Sequence, residues 1–436
     1  MTLAIVVQRY GADLSGGAEL HARYIAERLA PRLRVRVLTT CARDYLTWRN
    51  EFPPGPDDVN GVPVERFRVS RERHVRDFGV RSRRVFGRMH SLQEELDWLE
   101  SEGPVSRGLL SRLRRSGGEF DFVIFFSVRY HQAYYGARAV PDRALLVPTA
   151  EREPALGLAI FQPIFRGVRA IMYNSFEERA AINAVAGNED VPGVVVGVGS
   201  TIPQDVESAR ARQAFGLARP FVIYVGRIDA NKGVAELFDF FVRYLDVSGR
   251  QLDLVLIGKG DLPVPEHPRI RHLGYVSDQD KFDVMAASVA LVMPSYYESL
   301  SMVALEAWAL GRPVLANARC DVLLGQCLRS NAGLYYEDAR DFEAALNRLL
   351  NDASLAETLG RNGRDYFVRH YSWPVIERKY LDMLDALRSA PVSRPMEPLP
   401  GWFARRRPNV PAAIDVIADL PSGPVLDVRT AAGTGT

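Results

Sequence analysis

Residues 289–316 read Val289-Ala-Leu-Val-Met293-Pro-Ser-Tyr-Tyr-Glu298-Ser-Leu-Ser301-Met-Val-Ala-Leu-Glu306-Ala-Trp-Ala-Leu310-Gly-Arg-Pro313-Val-Leu-Ala316. The apolar run 289–293 has strand character and ends at turn residues. A helical pattern follows over 301–310, stopped by Gly311 and Pro313. A second strand pattern, 313–316, begins at once. Strand, helix and strand in so short a span predict a βαβ unit and hence a parallel sheet covered by helices.

The same alternation extends in both directions. Strand patterns in the first half fall at 3–8, 35–40, 62–67, 120–126, 144–149 and 170–174, with a clear helical pattern at 18–29. A second series has strand patterns at 194–198, 221–225, 252–257, 270–273, 289–293 and 313–316. Its helices are expected at 234–245, 281–287, 301–310 and 341–350. The chain has 436 residues, too many for one core and suited to two domains. The fold class is therefore α/β, with two doubly wound Rossmann-like domains facing a cleft. The expected boundaries are 1–190 and 191–370, joined near 187–199. An amphipathic helix follows at 371–388, and then a proline-rich extended tail, 389–436, with a short docked piece near Trp402.

Hydrophobic residues make up 47% and charged residues 25%, which excludes wholesale disorder. No apolar run reaches the ~18 residues of a membrane span, and residues 1–10 lack the layout of a signal peptide. Cys41, Cys320 and Cys327 follow no zinc or disulfide spacing. These features point to the reducing cytoplasm. Net charge is only +2, but nine arginines stand between Arg66 and Arg88 against Glu72 and Asp77. That stretch is either a solvated face or a basic surface for an anionic acceptor or for the inner face of the membrane. No nucleic-acid motif accompanies it. Only four of the 55 basic residues are lysines.

Three motifs carry chemistry. Ser15-Gly16-Gly17-Ala18-Glu19 sits between the first strand and a helix, where backbone N–H groups suit a phosphate or sugar oxygen. Gly226-Arg227-Ile-Asp-Ala-Asn-Lys232-Gly233 puts two cations in a tight loop before a helix, an arrangement suited to a diphosphate. Glu298 and Glu306 lie eight residues apart. Glu306 has the helical neighbours Met302, Val303, Ala309 and Leu310, so its charge needs a specific partner, and ligand hydroxyls would serve. No Asp-x-Asp stands beside a strand end, so no metal is expected; fixed cations and a helix dipole would take its place.

Together these motifs resemble retaining GT-B glycosyltransferases of family 4, the glycosyl transferases group 1. The resemblance covers roughly residues 3–388 and is closest over 294–307. It implies a UDP- or GDP-sugar donor in the second domain and a hydroxyl acceptor against the first. Arg227 and Lys232 would meet the diphosphate, with Gly226 beside them. Glu306 would hold the ribose, and Glu298 with Ser299, Leu300 and Ser301 the donor sugar and phosphate. Gly258, Lys259, Tyr275 and Val276 would edge the base pocket, and Gly17 would approach the distal phosphate. Gly16, His131 and Glu153 would lie on the acceptor side. The last helix would cross back to the first domain. Many members have a His before Glu-Pro in the first domain; here Glu151 occupies that place, ahead of Glu153-Pro154. A sugar-nucleotide epimerase or hydrolase and a non-catalytic nucleotide-sugar binder are the competing readings. A nicotinamide oxidoreductase is disfavoured, because Gly197-Val-Gly199-Ser-Thr-Ile202 lacks the third glycine.

Overall fold

The computed structural model describes residues 1–14, 16–392 and 396–397. Ser15, Trp402 and most of the expected tail lie outside the described residues. Residues Met1–Met396 form one unit, built on two parallel sheets.

The first sheet contains β1 (Thr2–Val6), β2 (Arg34–Thr40), β3 (Gly55–Val59), β4 (Val62–Phe67), β5 (Phe122–Phe126), β6 (Ala144–Val147), β7 (Ala170–Tyr173) and β8 (Gly193–Val195). Their order is β3-β4-β2-β1-β5-β6-β7-β8, parallel except for the β3–β4 hairpin. The second contains β9 (Phe221–Val225), β10 (Asp253–Ile257), β11 (Ile270–His272), β12 (Leu291–Met293), β13 (Val314–Asn317) and β14 (Gly333–Tyr336), in the order β11-β10-β9-β12-β13-β14.

Both orders reverse beside the first strand of the sheet, between β1 and β5 and between β9 and β12. The crevice at the carboxyl ends of such strands is where this class of sheet takes ligands. The loops leaving β1, β9 and β12 carry the three sequence motifs. The central strands are shut from water on both faces: Leu3, Ala4, Ile5 and Val6 are 0% exposed, as are Phe221, Val222 and Ile223. Near-continuous apolar runs are what such strands require.

One assignment is corrected. The pattern at 194–198, expected to open the second series, instead supplies β8, the outer strand of the first sheet. It pairs with β7 through Ile171–Gly193, Met172–Val194 and Tyr173–Val195, so the first sheet runs past residue 190. A short β-rich run records strand character but not the sheet it joins.

The last helix, Trp373–Ser389, crosses back to the first lobe. It buries Ile376, Tyr380, Leu384 and Leu387 along one face. Glu377 lies 3.9 Å from Arg28 and 3.5 Å from Arg32, both at the end of helix Gly17–Leu29 or just beyond it. Trp373 meets Tyr24 edge-on. Arg169 donates to the carbonyls of Leu387 and Ala390, so residues at the start of the expected tail belong to this unit. Among the described residues, no helix is long and apolar enough to cross a membrane.

Candidate functional site

Glycine lets three loops stack at the carboxyl ends of β9, β10 and β11. Gly226 N–H donates to Ile257 (3.0 Å), Ile228 N–H to Lys259 (3.1 Å) and Gly258 N–H to Gly274 (2.8 Å). Gly258 has φ +131°, and a Cβ there would stand 1.9 Å from the Gly226 carbonyl oxygen. Only a residue without a side chain permits this approach. Lys259 and Tyr275 project from the outer part of the cluster, Tyr275 71% exposed, while Val276 is half-buried.

Within the first of these loops, Asp229 accepts from the Lys232 N–H (2.9 Å) and pairs with the Arg227 guanidinium. Gly233, at φ +68°, then caps helix Val234–Ser248 and packs against the Pro294 carbonyl. This turn aims Lys232 at the loop after β12. Its Nζ donates to Glu298 Oε1 (2.8 Å) and to the Tyr297 carbonyl (3.3 Å). Burial works against the Lys232 charge, but Glu298 and Glu151 outweigh it and hold its pKa above the ordinary value.

Helix Met302–Ala309 opens from Ser301, whose φ is +68° and whose Oγ accepts from the Ala304 N–H. The Leu300 carbonyl accepts from Gln326 (2.6 Å). Glu306 is 4% exposed and has protein partners that sequence reasoning missed. Ser200 Oγ donates to its Oε1 (2.8 Å), and Lys281 Nζ lies 3.1 Å away. The same Nζ lies 3.1 Å from Oε2 of Glu306, which has no other partner among the described residues. Two of the chain's four lysines thus pair with the two glutamates spaced eight residues apart. Scarcity of lysine in an arginine-rich chain was the available signal.

Gly16 and Gly17 play different parts on the first lobe. A Cβ at Gly16 would press to 2.3 Å from Glu19 Oε2, whereas one at Gly17 would meet nothing within 4 Å. Gly16 admits the buried Arg9–Glu19 pair (2.8 Å), and Gly17 leaves open space at a helix start. Tyr45, also unforeseen, lies between Arg9 (5.6 Å) and Arg227 (6.0 Å), and Arg227 donates to its hydroxyl (3.2 Å). Arg227 therefore meets the first lobe directly.

Glu151 follows β6 and faces the Lys232–Glu298 pair across the cleft. Burial, with Glu298 and Glu153 adding to it, raises its pKa despite Lys232. Glu153 accepts from Arg129 (2.6 Å), which also binds Glu102 (2.9 Å). A recess beside them is lined by Val128, Pro148, Thr149, Leu156 and Phe161. His131 is buried elsewhere: its Nε2 lies 3.2 Å from Glu100 and its ring meets Tyr135 at a tilt, 4.6 Å between centroids. None of these partners belongs to the Lys232–Glu298 group.

The basic stretch is less free than its composition suggests. Arg66, Arg73, Arg81 and Arg84 are engaged with Asp57, Glu102, Asp77 and Glu94. Among the described residues, Arg76, Arg83 and Arg88 have no ion pair, and Val75, Val80 and Met89 beside them are exposed.

Comparison with known proteins bears on the fold and the family. Residues 219–352 match the family described as glycosyl transferases group 1. The chain is 29% identical over 191 residues to alpha-maltose-1-phosphate synthase of Mycobacterium tuberculosis, covering 38% of this chain and 47% of that protein. It is 30% identical over 187 residues to alpha-D-kanosaminyltransferase of Streptomyces kanamyceticus, with the same shares. The chain spans about half the length of the curated relatives it matches. Sucrose-phosphate synthase from Thermosynechococcus elongatus superposes with TM-score 0.65 at 18% identity, over 89% of this chain and all of that one. Anabaena HepE, solved with UDP and glucose, gives 0.62 at 18% identity over 88% and 99%. The chain thus has the GT-B fold, and its residues 219–352 are similar to the glycosyl transferases group 1.

Proposed function

We propose that this chain is a retaining glycosyltransferase that moves a sugar from a UDP- or GDP-sugar to an acceptor hydroxyl of a glycan, glycolipid or small glycoside. The observation that carries the reading is the pairing of Lys232 with Glu298 and of Lys281 with Glu306, on the segments that follow β9, β11 and β12. Oε2 of Glu306 has spare accepting capacity, which suits a ribose hydroxyl donor. Arg227, Lys232 and the N-terminus of helix Val234–Ser248 would take the diphosphate. As the glycosidic bond breaks, negative charge collects on the departing phosphate, and fixed cations there stabilise it. Glu298, beside Lys232, would face the donor sugar. The acceptor would enter along Glu151 and Glu153 and attack on the face the phosphate leaves, retaining configuration.

Calorimetric titration with UDP and GDP tests the nucleotide site. One of them should bind, and Glu306→Ala should weaken it by about 1.5–3 kcal/mol. An affinity unchanged in that variant would refute the assignment. Catalysis is proposed to need no divalent metal, so activity lost to a chelator and restored by manganese would overturn that part. Release of nucleoside diphosphate without any acceptor product would favour the hydrolase reading. A cytoplasmic site of action, peripheral to anionic lipid, is the final part. The unpaired Arg76, Arg83 and Arg88 with exposed Val80 support it, and equal sedimentation with anionic and zwitterionic vesicles would dismiss it.

A further inference from the structure

Glu178 is an ionisable residue that the proposed reaction does not use, and it is 2% exposed. It occupies the third position of helix Phe176–Ala186, whose N-cap Ser175 accepts from the Glu178 N–H. In a capping box its carboxyl would return to the Ser175 N–H. Instead Oε2 accepts from the Asn174 N–H (2.5 Å), while Oε1 crosses to the Ala150 N–H (2.7 Å). The Asn174 side chain lies 3.4 Å from Oε1. Among the described residues, no cation pairs with this carboxyl. A buried carboxyl without a counter-charge is expensive to ionise, so its placement calls for a geometric reason.

Ala150 directly precedes Glu151. The preceding residue, Thr149, stands at φ +46°, which a β-branched residue adopts only under constraint. Its Oγ1 lies 2.6 Å from Ser127 Oγ, at the end of β5. The turn 149–151 is thus tethered on one side from β5 and on the other from the segment after β7.

We propose that Glu178 is a positioning residue, holding the turn 149–151 by the Ala150 N–H so that Glu151 meets the Lys232–Glu298 pair and the incoming acceptor. The role in acceptor placement rests on the transferase reading, whereas the tether does not. A glutamine would serve poorly, since its NH₂ must face one of two backbone N–H donors.

Hydrogen–deuterium exchange resolved to the segment 149–153 tests the tether in the full chain. In Glu178→Gln this segment should exchange at least tenfold faster while helix Phe176–Ala186 keeps its protection. Glu178→Asp, which retains the carboxyl but is one methylene short of Ala150, should loosen the same segment. Unchanged exchange there in both variants, or equal loosening of the helix, would overturn the proposal. Two further measurements concern function. UDP and GDP affinities should match those of the parent chain, because the nucleotide site lies on the other lobe. Release of UDP from UDP-glucose, or of GDP from GDP-mannose, should fall in Glu178→Gln but fall no further when Glu178→Gln is added to Glu151→Ala. Additive losses would contradict positioning through Glu151. Failure of the parent chain to bind either nucleotide would strike the transferase reading and leave the exchange result standing.

Discussion

At the scale of single residues, the site is a balance of carboxylates and lysines facing each other across a cleft. Lys232 is the only cation hydrogen-bonded to Glu298 among the described residues, and it also faces Glu151. Removing it leaves two carboxylates opposed, with Arg129 acting on Glu151 alone, in the place where a diphosphate would gather charge. Lys232→Ala should therefore lower turnover by roughly 10²–10³-fold. Affinity for UDP or GDP should fall less, because the added charge develops mainly in the transition state. Steady-state kinetics beside calorimetry would measure both, and near-parental turnover would remove the main support for the clamp. Arg227 is differently placed. Half-exposed, it is held by Asp229 and Tyr45, so its planar fork serves two partners, which an ammonium cannot reproduce.

At the scale of elements, what the sequence reveals depends on whether the signal is local. Strand β9 coincides with the pattern 221–225, because a strand buried on both faces must be apolar throughout, and β4 coincides with 62–67 through alternation, Val62 and Val64 being buried and Pro63 exposed. Strand β3 reads Gly-Pro-Asp-Asp-Val and hides at an edge, where polar residues and proline are tolerated. Its one readable mark is Asn60-Gly61, both at positive φ, as a two-residue hairpin turn requires. Helix Ala353–His370 escapes periodicity because its buried face includes Gly360 and Gly363, the latter packed on Trp308. The glycines of the loops after β9 and β10 were legible as motifs, but their reason is tertiary: Gly233, Gly258 and Gly260 each admit a neighbouring backbone. Likewise Ser175-x-x-Glu178 announces a cap, whereas the reach to Ala150 exists only in the folded chain. Gly258→Ala tests the loop packing. With φ +131° and a Cβ 1.9 Å from a carbonyl oxygen, it should cost about 2–3 kcal/mol and weaken UDP or GDP binding. An unchanged denaturation midpoint would show that the three loops can part without penalty.

At the scale of the whole molecule, the two lobes are joined by contacts of two kinds. Arg152–Asp321 and Arg329–Glu177 are ion pairs across the cleft, and the first is exposed enough to contribute little. The crossing helix is the apolar join, and at its centre the Tyr380 hydroxyl lies 3.3 Å from His21 Nε2. His21 also meets Phe126 edge-on at 5.1 Å. Burial pushes the His21 pKa down to about 3, so the folded chain holds a neutral imidazole there. Below its ordinary pKa of 6.5 the unfolded chain binds the proton and the folded chain does not. His21 therefore withdraws stability as pH falls from about 6.5 toward 3. Glu178 acts in the opposite sense. Burial raises its pKa from 4.5 to about 8, and the groups facing it, Glu151, Tyr173 and Tyr380, add no positive charge. Between those values the folded chain holds the extra proton, so stability declines as pH rises. The two effects can be separated by replacing the His21–Tyr380 pair together, as His21→Leu with Tyr380→Phe. Removing both polar partners leaves no orphaned donor, and stability at pH 7 should stay within about 1–2 kcal/mol of the parent. The urea midpoint should then fall less between pH 6.5 and 4 than in the parent chain, while other carboxylates contribute equally to both. Parallel declines in the two proteins would mean that the join between crossing helix and first lobe does not sense acid through His21.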